Sequence, residues 1–288
     1  MADSPTLTTK ITALKISKED IVEAQKFPLY LNKYIAREKI IWKDGDPYCP
    51  VHEYALKTDD EKNNWQACWY CDICRTEAYL IEKEKNQVLA DEQKKRDFVR
   101  RQSDAKIPKM FLDASFDNFI VELPIQQEIL TTVRSFVETQ GKEPRNLLFT
   151  GKLGTGKTFC SCAIANAWLK KGWPVSCITA PALIRSVRDT WRRESLVSET
   201  TVIDRWVRQG LLVIDEVGMQ MGTLNELVII TEIINMRYQE MLPTVVIGNL
   251  TLEEFAKTLG ERALDRFRES GKAYAFTWEN RRNASRIK

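Results

Sequence analysis

The sequence predicts an α/β fold, a parallel sheet flanked by helices, and three observations carry that prediction. From about residue 106 onward, short apolar runs alternate with helix-length segments. Runs of that kind suit strands buried on both faces, with helices as the crossovers. "GKLGTGKT" (151–158) lies between one such strand and one such helix, which is the setting a phosphate-binding loop requires. "LLVIDE" (211–216) is an apolar strand ending in two carboxylates, and strand ends of a parallel sheet lie next to the crevice where ligands bind.

The elements follow in order. Ser17, with Asp20 three residues on, makes a capping-box arrangement and predicts a short helix over "SKEDIVEAQKF" that Pro28 ends. "LYLNKYIAREKII" predicts a second helix. Residues 41–74 are rich in aromatics and cysteine, with turn signals at "KDGDP". Residues 75–102 lack Pro and Gly and are dense in charge, predicting a long, mostly solvated helix. Pro108 breaks it, and Phe111, Phe116, Phe119 and Ile120 predict a segment packed on the domain that follows. Pro124 opens a helix to Glu138. "NLLFT", "PVSCIT", "LLVIDE", "TVVIGN" and "AYAFTW" predict five strands. The helices between them are "GKTFCSCAIANAWLKKG", closed by Gly172, then "PALIRSVRDTWRRE" and "LNELVIITEIINMRYQEM". "LEEFAKTLGERALDRFRE" gives one or two more.

The totals narrow the function classes. No run of eighteen apolar residues predicts a membrane-spanning helix, and "MADSPTLTTK" has no apolar signal core, so the expected setting is the cytoplasm. A net charge of +3 does not by itself imply nucleic acid, so the clustering of basic residues decides that question. The seven cysteines fall into two groups. Cys160, Cys162 and Cys177 lie in apolar stretches and read as small core residues. Cys49, Cys68, Cys71 and Cys74 share a short segment with His52, the only histidine.

In that segment "CPVH" places Cys49 and His52 at x₂ spacing, and "CWYCDIC" places Cys68, Cys71 and Cys74 at x₂ spacing. A Cys-x₂-His knuckle facing a Cys-x₂-Cys knuckle is a tetrahedral Zn²⁺ pattern. So short a segment cannot build an apolar core, and metal would supply its folding energy. A disulfide does not suit a reducing compartment, and a redox pair leaves Cys49 and His52 unexplained. The reading favours Cys49, His52, Cys71 and Cys74 as ligands, with Cys68 as the alternative. Four ligands leave no open position, so the expected role is structural. The expected domains are a helical and zinc-binding module (1–74), a charged helical connector (75–105) and the α/β domain (106–288).

The glycine-rich loop carries the chemistry. Gly151, Gly154 and Gly156 let successive N–H groups face a phosphate, and the dipole of the following helix adds to this. Lys157 is placed to reach the outer phosphates of ATP and Thr158 to bind Mg²⁺. Lys152, Leu153, Thr155 and Phe159 complete the expected cradle. Asp215 is expected in the Mg²⁺ shell, with Glu216 orienting or deprotonating the attacking water. Asn249, at the end of "TVVIGN", is placed to touch the γ-phosphate or the water, or it is a simple strand-end turn residue.

Two arginine clusters stand out. Arg262 and Arg266 are four apart and share a helix face, either in surface ion pairs or as a finger offered to a neighbouring subunit's ATP. Arg185, Arg188 and Arg192 read as one helical stripe beside Trp191. That combination suits single-stranded nucleic acid, cations for phosphates and a ring for a base; the other reading is a solvated face.

"IPKMFLDASFDNF", "FTGKLGTGKTF", "LLVIDEVG" and "LGERALDRFR" together resemble the bacterial and phage replicative helicase loaders of the DnaC type. These are AAA+ ATPases grouped with the transposition helper ATPase IstB. The resemblance covers residues 106–288 and implies an AAA+ P-loop fold. It also implies an ATP-dependent loader that places a hexameric DnaB-type helicase on single-stranded DNA. It implies sensor 1 at Asn249, an arginine finger at Arg266 with Arg262 close by, and a nucleotide-sensing arginine at Arg282 in "WENRRN". Self-association around a helicase ring, in a bacterial or phage-infected cell, goes with it. Some phage versions resemble this chain in carrying a Cys-rich segment before the ATPase. A transposition helper assembling on duplex DNA, or a nucleotide-gated DNA-binding adaptor with little turnover, are the alternatives.

Overall fold

The computed structural model describes residues 17–26, 39–50, 57–58, 69–70, 72–218 and 224–280. The chain divides into two compact units, residues 1–95 and 96–288.

In the first unit, helix α1 (Lys18–Gln25) starts from the capping box expected at Ser17. The Ser17 hydroxyl accepts from the Asp20 amide, and the Asp20 carboxylate accepts from the Ser17 amide at 2.9 Å. Most of "LYLNKYIAREKII" lies outside the described residues. At its end the helix expectation fails, because Ile41–Lys43 is a strand, β1, paired antiparallel with β2 (Asp46–Tyr48). Asp44 and Gly45 both have positive φ, 49° and 91°, and form the two-residue turn that a tight hairpin favours. A second short antiparallel pair joins β3 (Lys57–Thr58) to β4 (Trp69–Tyr70). Helix α2 (Asp72–Asp104) then runs 33 residues, a little beyond the expected limits at each end. In its first turns Arg75 donates to the Gln25 carbonyl and Lys83 pairs with Glu23, so α1 lies along the start of α2.

In the second unit five parallel strands are ordered β6-β7-β8-β5-β9. They are β5 (Asn146–Gly151), β6 (Val175–Thr179), β7 (Leu211–Val217), β8 (Thr244–Gly248) and β9 (Gly271–Phe276). The strand that feeds the glycine loop lies between β8 and β9. Because side chains alternate along a strand, the sheet has two core faces. Leu147, Phe149, Val213 and Val245 face α3 (Pro124–Glu138) and α4 (Lys157–Lys170). Leu148, Leu212, Ile214 and Val246 pack in the opposite core, with residues of α5 (Ala180–Arg188), α6 (Glu199–Val207), α7 (Leu224–Gln239), α8 (Leu252–Leu259) and α9 (Glu261–Ser270).

Three details depart from or refine the sequence reading. The helix expected over 181–194 stops at Arg188, and one 3₁₀ turn (Asp189–Trp191) follows, leaving Arg192 extended at φ −69°, ψ 139°. Helix α6 was not anticipated, although Ser198 caps it and Val202, Ile203, Trp206 and Val207 are its buried face. The last helical stretch is two helices, broken at Gly260, whose φ of +86° no helix interior accepts.

The segment before α3 is pinned by a buried amide pair. Gln102 donates to the Asn166 side chain and to the Leu112 carbonyl, each at 2.8 Å. Asn166 donates to the Phe111 and Ala114 carbonyls. A stretch with a single 3₁₀ turn (Lys109–Phe111) is thereby fixed beside α4, where it forms one wall of the cavity described next.

Candidate functional site

The carboxyl ends of β5, β7 and β8 open into a cavity of about 420 Å³, within the range of small-molecule sites. Leu153, Gly154, Gly156, Lys157, Thr158, Phe159, Asp215, Glu216 and Asn249 line it, so candidates from three separate sequence stretches meet there.

The loop geometry follows from its glycines. Gly151, Gly154 and Gly156 have φ of 115°, 76° and 97°, values side-chain-bearing residues rarely adopt. Lys157 opens α4 and is 5% exposed, and its ammonium donates to the Gly151 carbonyl at 2.8 Å and to the Lys152 carbonyl. A cation is thus held inside the loop by backbone oxygens. Thr155 is buried, and its hydroxyl donates to the Lys152 carbonyl at 2.9 Å, which braces the loop from inside.

Across the cavity the Thr158 hydroxyl donates to Asp215 Oδ2 at 2.8 Å, while Asp215 Oδ1 accepts from the Glu216 amide at 2.7 Å. A hydroxyl against a carboxylate is a pair of hard oxygen donors of the kind Mg²⁺ takes. The β7–β8 register shifts between Ile214 and Val217, and within that bulge Glu216 sits at φ +60°. The bulge turns Glu216 out of the strand alternation and leaves it exposed at the cavity. Asn249, one residue beyond β8, completes the polar end.

The other end is apolar. Met110, Phe111, Phe119 and Ile120 line it with Phe159, whose ring lies edge-on to Phe111 at 6.3 Å and stacks near Phe119 at 6.4 Å. The sequence reading took Phe111, Phe119 and Ile120 only as packing residues. Their position just before a domain that starts at a phosphate loop was the available signal.

The remaining candidates lie elsewhere. The guanidinium of Arg266 rests over the Tyr238 ring at 5.1 Å, and Tyr238 donates to Glu269 at 2.6 Å; Arg262 is exposed. Arg282 lies outside the described residues. Arg185 is exposed, whereas Arg188 pairs with Glu226, Arg192 with Asp189, and the Trp191 indole donates to Glu199. The expected stripe is therefore corrected: Arg192 is off the helix, and two of its three arginines are held in ion pairs. Cys160, Cys162 and Cys177 are buried, and burial pushes the Cys162 thiol up to about 12. Cys49 and Cys74 come together at 3.7 Å between sulfurs. His52, Cys68 and Cys71 lie outside the described residues, and among the described ones no three metal-ligating side chains cluster. Nor is any described helix long and apolar enough to cross a membrane.

Comparison with known proteins gives the family and the fold. Residues 74–267 match the family of IstB-like ATP binding proteins. The replicative helicase loader DnaC of Escherichia coli K12 is 35% identical over 172 residues, 59% of this chain and 70% of that protein. DnaC of Buchnera aphidicola subsp. Acyrthosiphon pisum is 29% identical over 177 residues, 61% and 72% of the two chains. A crystal structure of the DnaC helicase loader superposes with a TM-score of 0.52 at 22% identity, over 58% of this chain and 99% of that one, and shares the fold. With a phosphate loop on β5, an acidic end to β7 and a match over two thirds of its length, the chain belongs to the IstB-like ATP-binding family, as a homologue of the DnaC helicase loaders.

Proposed function

We propose that this protein is an ATP-dependent loader that places a DnaB-type hexameric helicase on single-stranded DNA, in the cytoplasm of a bacterium or phage-infected cell. The observation that carries the reading is the convergence of Lys157, Thr158, Asp215, Glu216 and Asn249 on one cavity, in a chain homologous to DnaC. The apolar end would take the flat base of ATP, and the loop amides its phosphates. Lys157 exchanges carbonyl partners for phosphate oxygens, and the Lys152 carbonyl keeps the Thr155 hydroxyl as a donor. Thr158 and Asp215 would hold Mg²⁺, which when bound neutralises phosphate charge. Glu216, exposed and aimed by the bulge, is placed to orient a water, and Asn249 to hold it.

Arg266 remains the proposed finger, with Tyr238 as its resting place and Arg262 as the exposed neighbour. Arg282 is proposed to read the nucleotide. Arg185 is the exposed cation of the proposed DNA surface; Arg188, Trp191 and Arg192 would leave surface partners whose pairs are each worth about 0–1 kcal/mol.

We further propose Zn²⁺ in the N-terminal module (1–74), joined by the connector (75–105) to the ATPase (106–288). Tetrahedral Zn–S bonds of about 2.3 Å place two thiolates about 3.8 Å apart, which is the Cys49–Cys74 spacing and not that of a disulfide. His52 and Cys71, or Cys68, would complete the set. That module is the proposed grip on the helicase.

Lys157→Ala should abolish ATP binding in an equilibrium titration; unchanged affinity sinks the site assignment. Co-purification with the host replicative helicase in ATP, with zinc analysis of the same sample, tests the loader reading, and failure to capture the ring defeats it. The family match to IstB-like proteins favours one second reading, a transposition helper. Filaments on duplex DNA in electron micrographs would support the helper over the loader. Hydrolysis that stays negligible with and without single-stranded DNA would leave an adaptor.

A further inference from the structure

A phosphate loop works by turning its N–H groups inward, which turns carbonyls outward. Each outward carbonyl that is buried needs a donor, or its desolvation goes uncompensated. Thr155 is 1% exposed, and its carbonyl accepts the Trp278 indole N–H at 2.9 Å. This donor comes from beyond β9, far from the loop in sequence. Trp278 lies against the Phe276 ring at 4.7 Å, and Phe276, fully buried, lies against Phe149 of β5 at 5.2 Å. An aromatic ladder therefore runs from the strand that feeds the loop, through the last strand, to the loop's far limb.

The tail meets the loop at two further points. The Lys152 amide donates to the Phe276 carbonyl at 3.2 Å. Gly154 faces the Asn280 side chain so closely that a Cβ there would collide with it. Residues 276, 278 and 280, alternate tail positions, thus touch loop residues 152, 155 and 154.

We infer that the segment Phe276–Asn280 is a strap that sets the shape of the phosphate loop, with Trp278 as the positioning residue. The inference rests on the nucleotide-site reading above and extends it to residues outside the cavity lining. Trp278 touches no nucleotide in this scheme; it fixes the outward carbonyl of Thr155 so that the neighbouring amides face in.

The test uses the full chain and a fluorescent ATP analogue with Mg²⁺. Wild-type protein should bind it and Lys157→Ala should not, which secures the site reading independently. Trp278→Phe keeps the ring and the ladder but removes the N–H. It should weaken nucleotide affinity about three- to tenfold, the size of one lost hydrogen bond, while the nucleotide-free unfolding temperature stays close to wild type. A structural residue alone would do the reverse, lowering that temperature and leaving the affinity of the folded protein unchanged; that result overturns the strap while the site stands. Wild-type protein that binds no nucleotide removes both. Hydrogen exchange on wild-type protein gives a second measurement should the variant fold poorly. Nucleotide should slow exchange at 277–280 together with 151–158, and protection confined to the loop overturns the inference.

Discussion

The sheet holds a buried cation at each end, and the two are built for opposite purposes. At the carboxyl end Lys157 is 5% exposed and bonded to the carbonyls of Gly151 and Lys152, which lie on an open loop. At the amino end Arg237 is fully buried. Its guanidinium donates to the carbonyls of Val207 (2.6 Å), Gln209 (2.7 Å), Trp206 and Pro243 and to the Thr244 hydroxyl (3.0 Å). Burial draws its pKa down to about 9, so it stays charged at neutral pH. It gathers the end of α6 and the starts of β7 and β8, and a cation at a helix C-terminus also suits the dipole. Lys157 lines the cavity, where a phosphate can replace its partners; Arg237 is fully buried, where no ligand can. A buried charge signals function only where its partners are replaceable.

Two substitutions separate these roles. Lys157→Met should cost at least about 100-fold in nucleotide affinity, equivalent to about 2.7 kcal/mol, and leave the nucleotide-free protein as stable as before, because Met keeps the apolar stem and the Lys152 carbonyl keeps the Thr155 hydroxyl. Arg237→Met should do the opposite. It strands several buried carbonyls at about 1–3 kcal/mol each and should lower unfolding free energy in urea by several kcal/mol, with affinity in the remaining folded protein unchanged. An Arg237→Met protein of normal stability that has lost nucleotide would overturn the contrast.

Glu216 shows the same division within the functional end. A left-handed glutamate is strained by about 1–2 kcal/mol, and the bulge holds it there. Glu216→Gly should raise the unfolding temperature by a few degrees (about 1 kcal/mol in a domain of this size) and abolish hydrolysis while ATP still binds. Loss of stability on that change would mean that the side chain, not the backbone, anchors the bulge.

Much of this was legible in the sequence. The five strands of the parallel sheet were, because a strand buried on both faces is an unbroken apolar run. The loop and "LLVIDE" were, because their residue types suit few other purposes. What was lost had physical causes. The helix at 181–194 ends at Arg188 with no Pro or Gly to mark it. Helix α6 follows so charged a stretch that its short apolar face was overlooked. The sequence marks Arg237 only by spacing: it continues the stripe of Ile230, Ile233 and Ile234 at helical intervals, the one sign that it points inward. The apolar end of the cavity comes from a segment with little regular structure, which no periodicity could place.

The smallest expected effect concerns a residue at the functional end that is purely structural. Thr251 stands two positions beyond Asn249. Its hydroxyl accepts from the Glu254 amide at 3.2 Å, and its own amide donates to the Glu254 carboxylate at 2.7 Å, a complete capping box for α8. A hydrogen bond from the Thr251 amide, and after it one from the Thr251 hydroxyl, holds the Glu254 carboxyl below its usual range. The interaction is therefore present above the ordinary carboxylate pKa and fades as pH falls through the lowered one. Thr251→Ala should cost about 1 kcal/mol of stability near neutral pH and leave nucleotide affinity unchanged. Part of that cost should disappear in acid, where Glu254 is protonated and no longer supplies a charged acceptor. A change in affinity would mean that α8 and Asn249 move together, so that the functional end extends further along the chain than the cavity does.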